Sequence, residues 1–171
     1  LLGWLLLLVG CNQNPSLQKY FVANASEKDF VSLDISPSIL NIDKAKLTQE
    51  QKSALASFDK INVLAFKRSP ENQKQFEAQC AQVKTILKDP KYQELIKVGS
   101  GKDGASVRYL GTDDHIEEFV IFANRSENGF AIIRVLGQDM NPNSIVEMVS
   151  VLKNANIDLE QLKPLQSIMT P

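Results

Sequence analysis

The chain is poor in the residues on which many enzymes and small secreted scaffolds rely: 171 residues include one histidine, one tryptophan and two cysteines. A single histidine makes any Ser-His-Asp or Cys-His mechanism depend on one position, His115. The cysteines, Cys11 and Cys80, supply no disulfide framework, and lipidation of the first leaves the second without a partner. The fold therefore has to stand on packing. Charge of neither sign is in excess. Nineteen basic against twenty acidic residues give a net charge of -1, and no stretch concentrates positive charge, which argues against nucleic acid as a partner.

The one long apolar run is also short of a membrane span. Leu1 to Gly10 is uncharged and leucine-rich, but Asn12-Gln13-Asn14-Pro15 turns the chain polar, whereas a transmembrane helix needs about 20 apolar residues. The run has the makeup of a signal-peptide h-region ending at small residues. With neither a starting Met nor basic residues ahead of it, residues 1–10 are expected to be a signal-peptide remnant.

Leu8-Val9-Gly10-Cys11 resembles the bacterial lipobox, an aliphatic residue and two small or aliphatic ones before a lipid-accepting cysteine. That resemblance implies diacylglycerol on the Cys11 thiol, removal of residues 1–10 and acylation of the new amino terminus. More than one acyl chain gives stable anchoring. The competing reading, a core strand ending in an ordinary cysteine, has to bury an apolar run at the extreme N-terminus ahead of a polar stretch. In bacterial lipoproteins an Asp directly after the cysteine commonly marks inner-membrane retention, and acidic residues shortly after it tend to mark surface export. Asn12 to Gln18 carries no acidic residue, so an outer-membrane anchor facing the periplasm is expected.

With 43% hydrophobic and 23% charged residues, the remainder reads as one ordinary domain. Residues 11–28 are expected to form the lipidated cysteine and a polar tether, residues 29–157 the folded domain, and residues 158–171, interrupted by Pro164, a weakly structured tail. Phe30 to Ile35 alternates as a strand, and Ser36-Pro37 stops it before a short helical turn through Leu40 and Ile42. Thr48-Gln49-Glu50-Gln51 matches a capping box opening a helix to about Phe58. Residues 60–67 suit a central strand. Pro70 opens the clearest helix, with Phe76, Cys80, Val83 and Leu87 on one face. Cys80 lies within that stripe and reads as a small buried hydrophobe rather than a reactive or metal-binding thiol.

From Tyr92 the period becomes alternating, and strands are expected over 93–98, 105–110, 117–124 and 130–137, the last pair joined at Asn128-Gly129. Asn141-Pro142 then starts a closing helix with the stripe Ile145, Met148, Val149 and Leu152. This order predicts an α+β two-layer sandwich: a mostly antiparallel sheet of about six strands with two or three helices packed on one face.

Three constellations bear on chemistry. Gly99 to Gly104 matches G-x-G-x-x-G, but Ala105 to Leu110 alternates as a strand where the dinucleotide fingerprint needs a helix. Lys102 does not make it a phosphate-binding Walker loop, because that spacing is absent. A flexible hairpin loop is expected, with no nucleotide and no cofactor. Asp113-Asp114-His115, with Glu117 and Glu118 behind, is the only local cluster of acid–base or metal-ligating groups. It reads as a solvated turn before it reads as the cation site of a metal-dependent hydrolase, since neighbouring strand residues point to opposite faces. Phe119 and Phe122 fall on opposite faces of one strand, with Phe130 on the next. Either packing covers both faces, fully or in part, or one is left open as an apolar binding surface.

Phe30 to Pro37, Ile61 to Phe66, Tyr92 to Ile96 and Gly129 to Gly137 together resemble a family of uncharacterised lipoproteins of Bacteroides-type bacteria, the domain of unknown function family four-two-five-two. The resemblance spans about Lys19 to Ile157 and implies an N-terminal lipid anchor with no established activity. It provides no catalytic residue to transfer. The expected function is a non-enzymatic, lipid-anchored periplasmic domain that binds a protein, peptide or envelope component. A hydrolase built on Asp113, Asp114 and His115, or a structural or regulatory part of an envelope assembly, are the alternatives.

Overall fold

The computed structural model describes residues 15–41, 43–154 and 156–157. The first element is a helix, α1 (Leu17–Asn24), whose N-cap Ser16 hydroxyl accepts the Lys19 N–H at 3.3 Å. Leu17, Tyr20, Phe21 and Asn24 are buried at i, i+3, i+4 and i+7. Residues 17–24 are thus packed helix, although they fall within the stretch expected to be tether. The stripe escapes a hydropathy reading because one of its members is Asn24. Its amide, satisfied by donating to the Tyr20 carbonyl at 2.8 Å, lies buried as an apolar residue would.

Strand β1 (Phe30–Ile35) is followed by a 3-10 turn at Pro37–Ile39 and by β2 (Leu40–Asn41). Leu40 therefore belongs to a short strand rather than a helical turn, and Ile42 lies outside the described residues. Helix α2 (Gln49–Ser57) opens on the expected capping box. The Thr48 hydroxyl accepts the Gln51 N–H at 3.2 Å, and the Gln51 side chain accepts the Thr48 N–H at 3.1 Å. Thr48→Ala should cost about 1 kcal/mol, read as a shift in the urea midpoint at unchanged slope.

Strand β3 (Phe58–Lys67) leads to α3 (Gln73–Ile86), which buries Phe76, Cys80, Val83 and Ile86. Burial pushes the Cys80 thiol up in pKa, as befits a packed side chain, although Lys84 partly opposes this. The meander follows as β4 (Gln93–Gly99), β5 (Gly104–Thr112), β6 (His115–Arg125) and β7 (Gly129–Met140). Gly129 sits at φ +130°, and a Cβ there would meet the Phe66 carbonyl oxygen at 1.9 Å, so glycine is required on both counts. Helix α4 (Pro142–Asn154) is capped reciprocally: the Asn141 side chain accepts the Ser144 N–H, and the Ser144 hydroxyl accepts the Asn141 N–H, both at 3.1 Å. A last strand, β8 (Asn156–Ile157), pairs with β2.

The main sheet has six strands in the order β1-β3-β7-β6-β5-β4, and every pairing is antiparallel. Its register aligns Phe30 with Phe66 and Phe66 with Phe130, and aligns Leu64 with Ile132 and Ile132 with Phe122. These residues share one face and pack with Leu17, Tyr20 and Phe21 of α1 and Phe76, Cys80 and Val83 of α3. Phe66 stacks on Phe130 with centroids 5.6 Å apart and meets Phe30 edge-on at 5.0 Å. On the other face Phe58, Phe119, Val135 and Met140 pack with Ala54 of α2 and Met148 of α4. The α+β class and the six-stranded antiparallel sheet stand as expected. The helices, however, divide between the two faces instead of gathering on one, because Phe119 and Phe122 point to opposite sides and each is given cover.

Candidate functional site

The alternation of β5 and β6 pulls the acidic cluster apart. Thr112 pairs with His115, leaving Asp113 and Asp114 as the two turn residues between the strands. Asp113 accepts the Tyr109 hydroxyl, and this bond raises the Tyr109 pKa because the phenol is then a needed donor. His115 is largely solvent-exposed and its Nδ1 lies 2.8 Å from Asp139 on β7. Glu117 is exposed, while Glu118 turns to the opposite face and is buried. Among the described residues no three His, Cys, Asp or Glu side chains come together to hold a metal. Asp113, Asp114 and His115 thus form a polar turn, and the hydrolase arrangement is not assembled there.

Glu118 belongs to a different structure. Its carboxylate accepts the Arg134 guanidinium at both oxygens, from Nε at 2.7 Å and from Nη2 at 3.1 Å. Arg134 Nη1 donates to Gln18 of α1 at 2.8 Å, and the guanidinium lies 5.2 Å from the Phe21 ring centroid. Both ionic side chains are under 10% exposed. The pair anchors α1 over the middle of the sheet. The sequence signal for it is faint: one acid and one base at inward positions of adjacent strands, which become neighbours only once the Gly129 hairpin register is known.

The Gly99–Gly104 loop connects β4 and β5 as a hairpin, with Gly99 opposite Gly104 and Gly99 at φ +81°. A strand, not a helix, follows it, so the dinucleotide geometry is absent from this loop. Nor is it a loose connection. Lys84 Nζ donates to the Gly101 carbonyl at 2.6 Å, the Asn124 amide donates to the Lys102 carbonyl at 2.5 Å, and the Asp103 carboxylate accepts the Ser126 N–H at 2.6 Å. That last bond holds the Asp103 carboxyl below its usual pKa. Three side-chain ties from α3 and the meander replace the flexibility expected of the glycines.

Phe119 and Phe122 are both buried, so neither marks an open apolar surface. Besides Val22 on α1 and Val146 on α4, the large exposed apolar side chains cluster on β4, at the edge of the sheet. Every residue of β4 is exposed, and Leu95, Ile96 and Val98 are 40%, 52% and 57% accessible. A bulge between Glu94 and Ile96 sets Ile96 opposite Val107 and Val98 opposite Ala105, which puts both on the α2/α4 side of the sheet. Ile96 and Val98 belong to neither packed cluster. Composition does not distinguish β4 from the inner strands; only the strand order places it at the edge. Cys11 lies outside the described residues.

Fold and site together define a small α+β domain organised around one antiparallel sheet with an accessible apolar edge. The chain belongs to the family of domains of unknown function DUF4252, whose model matches residues 20–148. That match begins inside α1 and ends inside α4, so it takes in the C-terminal part of the helix that sequence alone assigned to the tether. No curated protein and no solved structure matches the chain.

Proposed function

We propose that this domain is a non-enzymatic binding module, lipid-anchored through Cys11 to the outer membrane and facing the periplasm, and that it takes up an extended segment of a partner polypeptide along β4. The open β4 edge carries this reading. An edge strand presents unpaired N–H and C=O groups to an incoming strand, while Ile96 and Val98 offer apolar contacts on one face. The bulge at Glu94/Ile96 and the charge of Lys97 disfavour pairing of two copies edge to edge, since both would be duplicated across a two-fold axis. A partner of different sequence meets neither obstacle twice. The anchor reading rests on the residues Leu8 to Cys11, and among the described residues no helix is long and apolar enough to cross a membrane.

The test has two parts. Cys11→Ala should move the protein from the membrane to the soluble fraction, and mass spectrometry of the parent should find acyl chains on Cys11. A photo-crosslinker at position 96 or 98 of the full chain should capture one identified envelope protein in cells. Ile96→Lys should weaken the purified interaction by about tenfold or more. Adducts only between copies of this chain, or within one copy, would overturn the binding reading without touching the anchor.

A further inference from the structure

The C-terminal end of α3 and the β4–β5 hairpin flank an open cavity of about 320 Å³, lined by Leu87, Phe122 and Val98 among others. Four cations reach it from three elements: Lys84 from α3, Lys88 just beyond it, Lys97 from β4 and Arg108 from β5. No carboxylate lines it, although the chain as a whole carries a net charge of -1. Leu87 and Phe122, 3% and 4% exposed, contribute apolar surface. The site is also built rather than fortuitous. Lys84 pins the glycine loop at the rim through the Gly101 carbonyl, and Arg108 is fixed by donating from Nη1 to the Leu87 carbonyl at 2.9 Å and from Nη2 to Glu94.

That arrangement leaves one donor over. Arg108 Nε is shielded from solvent and has no hydrogen-bond partner, the only buried side-chain nitrogen or oxygen of this kind among the described residues. The Arg108 guanidinium is thus only part-satisfied by the protein, and a charged donor of this kind is best matched by an anionic oxygen. A cavity of this size lies at the small end of ligand pockets, which run from roughly 300 to 1,000 Å³.

We propose that this cavity binds an amphiphilic anion, a carboxylate or phosphate headgroup held by Lys84, Lys88, Lys97 and Arg108, with its apolar part against Leu87 and Phe122. The four cations supply the attraction, Arg108 among them held in a fixed position by Leu87 and Glu94, and the apolar floor selects against bare inorganic anions. The site does not rest on partner binding at the β4 edge, although the two adjoin at Lys97 and Val98.

The probe is phenyl phosphate, titrated into the full chain and followed by calorimetry and amide chemical shifts. Inorganic phosphate, charge without ring, and benzyl alcohol, ring without charge, are the controls. Phenyl phosphate should bind at least about tenfold more tightly than either, with saturable shifts confined to residues 84–88 and 97–108. The exposed pair Lys88→Gln/Lys97→Gln should weaken it by about tenfold at unchanged thermal midpoint. Arg108→Lys, which keeps the charge but loses the fork, should weaken it as well. Equal affinity for all three probes, no saturable binding, or undiminished affinity in the Lys88→Gln/Lys97→Gln protein would overturn the proposal. Competition then separates the sources. Displacement of phenyl phosphate by phosphatidylglycerol vesicles but not by phosphatidylcholine vesicles identifies a lipid headgroup, and displacement by neither identifies a soluble anion.

Discussion

Glu118→Gln is expected to lower the unfolding free energy by about 3–5 kcal/mol, a large part of the roughly 5–15 kcal/mol that holds a domain together. The mutation keeps the shape of the side chain and removes its charge, leaving the buried Arg134 guanidinium beside a neutral amide, Gln18 and the Phe21 ring. Burial decides the size of the effect. An exposed pair of the same geometry would be worth under about 1 kcal/mol, whereas these two side chains are 8% and 6% accessible. The double replacement Glu118→Leu/Arg134→Met should recover most of the loss, since no charge is then left without a partner. Urea unfolding of the parent and the two variants is the measurement. A cost below about 1 kcal/mol for Glu118→Gln would mean that water reaches the pair.

Phe66→Ala is expected to cost a comparable amount, about 3–5 kcal/mol, through a different mechanism. Phe66 is 0% exposed and its ring contacts those of Phe30, Phe76 and Phe130. Truncation removes the apolar surface and opens a void among rings that belong to two strands and a helix and that cannot close on it together. Phe66→Leu, which refills most of the volume, should recover at least half of the loss. Thermal and urea unfolding report both, and equal destabilisation by Ala and Leu would show that ring geometry, not volume, matters there.

Contiguous signals in the chain were readable. The capping box at Thr48, the Phe76–Cys80–Val83 stripe and the turn at Asn128-Gly129 each state their structure within a few residues, and each is realised. The six antiparallel strands follow from the same kind of local pattern. What was hidden depends on which distant residues the topology makes neighbours. Glu118 looks like part of an acidic turn until β7 brings Arg134 beneath it. Lys84, Lys88, Lys97 and Arg108 form no basic run, yet the hairpin folds them around one cavity. β4 differs from an inner strand only by its place in the sheet. Helix α1 was missed for a local reason, an asparagine in its buried stripe.

That helix sets a distance. From Cys11 to the cap residue Ser16 is five peptide steps, which at full extension span at most about 18 Å. A lipid on Cys11, as proposed here, would hold the folded body within little more than half a bilayer thickness of the headgroups. Such a domain does not sweep the periplasm on a long leash. Whatever it met would have to come within that reach of the membrane surface.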